Sequence, residues 1–238
     1  METLKGKQVI IVGATGGIGA HAAKLIHGSG AIVYITGRDA QKLNQLSAEL
    51  AIPQERVFVM DIADENDVNN TIQQILSHTP NIDILVNAAG IGIIKTMETL
   101  SSADFNQSLQ VNLFGSFYLA KAVLPSMKLV KKGLIINIPG VLGKVPMAGA
   151  AAYSASKYGL VGMMQSIREE LKRTDIRITN LFLGGVDSSF WDNIDLRVQR
   201  DKMIQSEEAA KAIWFLCQQP ISGVVSEMVL QPFNHQAI

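Results

Sequence analysis

Cysteine is nearly absent. Cys217 is the only one in 238 residues, which excludes an internal disulfide framework and any cysteine-rich metal site. Net charge is absent too: 21 basic and 21 acidic side chains cancel, which argues against a broad polyanion-binding surface. No uninterrupted apolar run approaches the ~18 residues that mark a membrane span. The opening Met1-Glu2-Thr3-Leu4-Lys5-Gly6-Lys7 lacks the apolar stretch of a secretory signal. His21, His27, His78 and His235 are scattered without metal-ligand spacing, so no metal is expected. Low-complexity linkers and internal repeats are missing as well. What is present is apolar, 47% of the residues, enough for one large core. These properties predict a cytoplasmic protein of one domain, 1–238, with no nucleic-acid or membrane partner.

The chain alternates short β-branched runs with longer amphipathic stretches. Strands are predicted at 8–12, 31–36, 56–60, 82–87, 134–138, 177–183 and 225–230, most of them continuously apolar, as parallel strands buried on both faces are. Helices are predicted at 17–29, 40–50, 65–77, 102–128, 152–172 and 207–218. Leu43, Leu46 and Leu50, and Val68, Ile72, Ile75 and Leu76, recur at helical spacing. Cys217 falls on the apolar face of the last helix and reads as core rather than as a nucleophile. The alternation implies an α/β fold of Rossmann type: a doubly wound parallel sheet of about seven strands with helices on both faces. In such a sheet ligands bind beyond the carboxyl ends of the strands.

The first strand runs into Gly13-Ala14-Thr15-Gly16-Gly17-Ile18-Gly19, and a helix follows. Gly13 permits a tight turn, Gly17 lets backbone approach a pyrophosphate, and Gly19 lets helix and strand pack closely. A ligand-free glycine turn is the plain alternative; the position between strand and helix favours the phosphate cradle. The second strand ends at Thr36-Gly37-Arg38-Asp39, where an acid would hold the ribose hydroxyls of NAD. Gly37 stands there instead, and Arg38 suits a 2′-phosphate, which favours NADP while leaving NAD possible. Gly16 lies where a second basic residue would strengthen that preference. Asp61 and Ile62 follow the third strand and are candidates for framing the adenine edge.

Tyr153-Ser154-Ala155-Ser156-Lys157 opens a long helix. Residues four apart share a helix face, so phenol and ammonium can enter one site. An unperturbed phenol, with a pKa near ~10, is a poor acid–base group at neutral pH. A neighbouring ammonium favours the phenolate, as would a positive nicotinamide ring. Standing alone, the pair also reads as two surface residues.

Four features stand together: the glycine spacing, Asn87-Ala88-Ala89-Gly90 ending the fourth strand, Asn112 in the next helix, and Tyr153 with Lys157. In this order the chain resembles the short-chain dehydrogenase/reductase family over residues 5–231. That resemblance implies Tyr153 as general acid or base, and Lys157 as the group that binds the nicotinamide ribose and lowers the phenol pKa. It implies Asn112 as holder of a relay water, and Asn87, Ala88 and Gly90 as the floor beneath the cofactor. Leu183-Gly184-Gly185-Val186-Asp187-Ser188 resembles the segment that clasps the carboxamide, with Val186 and Ser188 as contacts, although Leu183 replaces the usual proline and Ser188 the usual threonine. Thr15 and Ile18 join the cofactor set within the glycine turn. The resemblance also implies a homodimer or homotetramer paired through the helices at 102–128 and 152–172.

One position departs from the family. Its catalytic serine lies thirteen residues before the tyrosine, and here that residue is Gly140, preceded by Pro139. Losing one such donor costs about a hundred- to a thousandfold in rate. Three readings stay open: another donor (the Gly140 N–H, Ser188, Ser189 or water), a substrate that depends mainly on Tyr153, or an NADP(H)-binding scaffold or redox sensor without turnover. Intact Tyr153, Lys157 and Asn112 favour an enzyme acting on a small carbonyl or alcohol substrate. Substrate loops are expected at 139–152 and 187–206. Phe190, Trp191, Met203 and Met147 either line an apolar pocket or pack on the core.

Overall fold

The computed structural model of the protein describes residues 2–192 and 194–234. His235, one of the four scattered histidines, and Asn193, inside the expected loop 187–206, lie outside the described residues.

Seven parallel strands form one sheet: β1 (Gln8–Val12), β2 (Ile32–Gly37), β3 (Val57–Val59), β4 (Ile84–Asn87), β5 (Lys132–Asn137), β6 (Asp175–Leu183) and, last in the chain, β9 (Glu227–Leu230). Their spatial order is β3-β2-β1-β4-β5-β6-β9, with the winding reversing between β1 and β4. Two short strands, β7 (Val186–Asp187) and β8 (Ile204–Gln205), pair separately. The helices are α1 (Gly17–Gly28), α2 (Ala40–Leu50), α3 (Glu65–His78), α4 (Ser102–Leu109), α5 (Gly115–Val130), α6 (Ala151–Glu170) and α7 (Ser206–Leu216). This is the Rossmann-type α/β architecture that the alternation predicts.

Alternation along β1 divides the core. Val9 and Ile11 join Ala22, Ile26 and Ile213 of α1 and α7 on one face, whereas Ile10 and Val12 join Ile72, Val123 and Met164 of α3, α5 and α6 on the other. Asp39 and Asp64 accept the first-turn N–H groups of α2 and α3, and Ser101 with Asp104 forms a capping box on α4. Each such cap stabilises a helix by about 1 kcal/mol. Helix α1 begins at Gly16 with no side-chain cap, so its first N–H groups remain available.

The helix predicted at 102–128 is interrupted by a π turn, Gln110–Phe114, which separates α4 from α5 without breaking the rod. The continuous helix Ser102–Val130 is long and apolar enough, by length and composition, to cross a membrane. Counting only uninterrupted apolar runs misses it. In this fold it lies on the sheet, with Leu119, Ala120, Val123 and Met127 in the core. Cys217 is buried, and burial pushes its thiol pKa up, away from thiolate chemistry.

Candidate active site

Because all seven strands are parallel, their carboxyl ends share one edge of the sheet. Gly13, Arg38, Asp61, Asn87, Gly140 and Val186 therefore lie along it, each following or ending a different strand. The site is built by connectivity before any side chain contributes.

At the β1–α1 turn, packing is backbone on backbone. A Cβ on Gly19 would lie 2.2 Å from the Gly13 carbonyl oxygen, and one on Gly13 would lie 2.8 Å from the Ala89 nitrogen. The Gly13 turn is thus pressed against the chain leaving β4, and the Ala88 N–H donates to the Val12 carbonyl at 3.0 Å. Thr15 covers Gly37: its Oγ1 and Cγ2 lie 3.0 Å from where a Cβ would stand, so an acidic side chain at the tip of β2 would collide with it. Arg38 is exposed next to this tip and forms no ion pair among the described residues. Ile18 packs on the core. Beyond β3, the Asp61 carboxylate accepts the Ala63 N–H at 3.0 Å, and Ile62 is buried against Gly115.

Asn87 ends β4 in a row of three buried asparagines, paired in register with Asn137 and, across β5, Asn180. Its amide donates to Ser116 Oγ at 2.9 Å, which ties the strand end to α5. Asn112 sits in the π turn, a feature frequent at functional sites. Its side chain grips Ile91 from both sides, accepting the N–H at 2.9 Å and donating to the carbonyl at 3.0 Å, and it also donates to Ser156 Oγ at 3.1 Å. Exposed Gly90 keeps the space between Asn112 and Lys157 open, since a Cβ there would lie 3.1 Å from Asn112 Oδ1 and 3.4 Å from Lys157 Nζ.

Tyr153 and Lys157 share one face of α6. Lys157 is 3% exposed, donates to the Ile138 carbonyl at 3.0 Å, and holds its Nζ 5.5 Å from the Tyr153 ring centre. Burial disfavours both charged forms: the Lys157 pKa is pulled down to about 8 and the Tyr153 phenol is pushed above its ordinary range. Gly140, just past β5, has φ +70° and ψ 168°, a conformation that essentially only glycine adopts. A Cβ there would stand 3.7 Å from Tyr153 Oη with no tight contact. The backbone conformation, not lack of room, is what requires glycine.

The segment after β6 folds over this group. Val186 is buried, and its carbonyl accepts Trp191 Nε1–H at 2.9 Å. Ser188 caps a short 3-10 turn, Ser189–Trp191. Arg200 bridges Asp187 and Asp192, and β7 pairs with β8 at the base. Phe190 stands edge to face with Tyr153, ring centres 5.9 Å apart, and with Trp191 at 5.2 Å. Met203 lies on Gly185 instead, and Met147 closes the turn before α6 through its carbonyl, so the four apolar candidates are not gathered in one wall.

Two contributors escape a reading of the sequence. Ser206 Oγ stands 2.8 Å from where a Cβ on Gly17 would lie, and it donates to the Asp187 carbonyl at 2.6 Å. Gly92 supports the tip of the Phe190 ring, 2.3 Å from its would-be Cβ. Neither belongs to a recognisable motif; each is brought in by the returning segment.

Residues 7–198 match the family model described as short chain dehydrogenase. The chain belongs to the short-chain dehydrogenase family. Members of this family are oxidoreductases, and an uncharacterised oxidoreductase of Staphylococcus epidermidis is 28% identical over 98% of this chain and all of that protein. Among solved structures, a metagenomic short-chain oxidoreductase in complex with NADP is 30% identical, with a TM-score of 0.83 over 97% of this chain and 99% of that one. An alcohol dehydrogenase from the archaeon Thermococcus sibiricus, complexed with 5-hydroxy-NADP, shares the fold at 24% identity and a TM-score of 0.89, covering 98% and 100% of the two chains.

Proposed function

We propose that this short-chain dehydrogenase binds NADP(H) in preference to NAD(H) and moves a hydride between the nicotinamide and a carbonyl or secondary alcohol carbon. The observation that carries this reading is the placement of Tyr153 and Lys157 together at the sheet edge, beside an uncapped glycine helix start. The residues fit a dinucleotide. Bare N–H groups at the α1 start suit a pyrophosphate, and any side chain on Gly17 would fill the space facing Ser206. Thr15 over Gly37 leaves no acid for a ribose diol, and exposed Arg38 suits a 2′-phosphate. Gly13, Ile18, Gly19, Asn87, Ala88, Gly90, Val186 and Ser188 would form the surrounding bed, with Asp61 and Ile62 toward the adenine. When bound, the nicotinamide supplies the hydride that adds to a carbonyl carbon, or takes it back from the alcohol.

The remaining steps belong to the chain. In reduction, Tyr153 gives its phenolic proton to the carbonyl oxygen, completing the alcohol. Lys157, as the ammonium below pH 8, stabilises the phenolate that remains. Asn112 fixes the Ile91 backbone and, through Ser156, the first turn of α6, and would anchor the water that returns a proton. Gly140 contributes no hydroxyl, so the substrate oxygen depends chiefly on Tyr153. The conformation of Gly140 also favours a second reading, in which the protein binds NADP(H) without turnover.

Exposed Phe114, Phe117 and Tyr158 on α5, its π turn and α6 support pairing of subunits through these helices. We place the assembly in the cytoplasm as a dimer or tetramer, with the loops at 139–152 and 187–206 forming the substrate side of a single domain.

Binding is followed by NADPH fluorescence and turnover by loss of NADPH absorbance against a panel of ketones and aldehydes. The oxidoreductase reading expects turnover that falls about a hundred- to ten-thousandfold in Tyr153→Phe with cofactor binding retained. Binding with no turnover anywhere in the panel would leave the second reading.

A further inference from the structure

The space beside Tyr153 is not empty; a side chain of this chain fills it. Phe190 comes from the segment after β6 and lays the tip of its ring on Gly92, with Cζ 2.3 Å and Cε1 2.8 Å from where a Cβ would stand. Any side chain at position 92 would evict the ring. Ile194 Cδ1, at 2.8 Å from the same point, closes the cleft from the lid side. Around the ring lie the edge-to-face contact with Tyr153, at 63° between planes, and a second with Trp191, at 82°. On the far side of the phenol, Gly140 leaves the approach to Tyr153 Oη free of a side chain. The cleft is thus narrow, flat and bounded by aromatic edges. The lid's charges are spent on one another, Arg200 with Asp187 and Asp192, so none of these three is free to hold an ionic substrate group.

We propose that the substrate is an uncharged aryl carbonyl compound, or the matching aryl carbinol, whose flat ring replaces that of Phe190 on Gly92. Resting on the oxidoreductase reading above, the inference adds the substrate class. Phe190 acts as an internal surrogate for the substrate ring, and the lid must lift it before the substrate enters. The aryl group gains the edge-to-face contacts that Phe190 gives up, while its attached carbonyl reaches toward Tyr153 Oη through the gap at Gly140. A saturated ring of the same size is thicker and lacks the polarised edge and face, so it fits the slot less well.

The test uses the full chain carrying Trp214→Phe, which leaves Trp191, the neighbour of Phe190, as its one tryptophan. With NADPH present, acetophenone should change Trp191 emission and half-saturate at least about fivefold lower than cyclohexyl methyl ketone. Adding Phe190→Ala removes the competing ring and should tighten acetophenone binding. Gly92→Ala should weaken it, while NADPH fluorescence, read separately, stays as in the parent. Equal half-saturation for the two ketones, or acetophenone binding that Phe190→Ala leaves unchanged or weakens, would overturn the proposal. Its fate is separable from that of the parent reading. Turnover of aliphatic ketones with no preference for the aryl probe sinks only the substrate class. Selective aryl binding with no NADPH consumed by any carbonyl sinks the oxidoreductase reading and leaves the slot.

Discussion

Glycine serves opposite purposes at the two ends of this site. In the β1–α1 turn, Gly19 exists because backbone touches backbone: there is no room for a Cβ 2.2 Å from the Gly13 oxygen. Beside Tyr153, Gly140 has room but sits in a glycine-only conformation, and Gly92 yields its room to an aromatic ring. The first arrangement is rigid and makes a bed for a ligand common to the family. The second is permissive and leaves a shape that differs from the family's serine-bearing site. The comparison teaches that a glycine in a motif and a glycine in place of a motif residue need different physical accounts.

Substitutions can break that comparison, and the largest effect is expected at Gly19. Gly19→Val forces the α1 start away from β1 and should destabilise the fold by about 3 kcal/mol, with loss of NADPH binding. A melting temperature and cofactor affinity like those of the parent would contradict close packing as the reason for this glycine. Gly140→Ser tests the other kind. Since the cost is conformational, about 2 kcal/mol of stability should be lost in chemical denaturation, without the gain in turnover that restoring a family hydroxyl would suggest. A stable, faster variant would show that the strand-end loop readily changes conformation to accept serine.

Lys157 sharpens the contrast through pH. Its folded-state pKa is near 8 against 10.5 for a free lysine. Below pH 8 both folded and unfolded chains hold the proton, and the penalty of burying the ammonium is complete. Above that, the folded chain releases the proton while the unfolded chain keeps it, so stability rises with pH by up to about 1.4 kcal/mol per unit. Lys157→Met lacks this gain. The parent should therefore improve relative to the variant as urea midpoints are measured from about pH 8 to pH 10; parallel pH curves would refute a strongly depressed lysine. The smallest effect is expected at the cofactor tail, where Arg38→Ala should weaken NADPH about tenfold and NADH little. Equal losses would remove the reason for preferring NADP.

The sheet was legible because its strands are buried on both faces and so are written as continuous apolar runs. β1 and α2 fall at the predicted limits, 8–12 and 40–50, and the other sheet strands differ by one to two residues at their ends. The end of β4 at Asn87 was legible too, because the asparagine row interrupts the apolar run there. What could not be read has a common cause. The π turn around Asn112 arises from how one helix is seated on the sheet and carries no composition signal of its own. β7 and β8 are two residues each, too short for any periodicity, yet they fix the base of the segment that brings Phe190 and Ser206 into place. Gly92 follows the Asn87–Gly90 motif in an ordinary loop, and only the approach of Phe190 from about a hundred residues away gives it meaning. Local patterning thus predicted the cofactor half, while the substrate half depends on contacts distant in sequence.

Hydride transfer itself is most directly tested with NADPH carrying deuterium at the transferable position of the nicotinamide, mixed with enzyme and an aryl ketone, and the product alcohol analysed by mass spectrometry. The account predicts deuterium at the carbinol carbon, formed by the parent and lost by about two orders of magnitude or more in Tyr153→Phe, which still binds the cofactor. NADPH bound with parent affinity, but no deuterium delivered to any carbonyl tried, would contradict it.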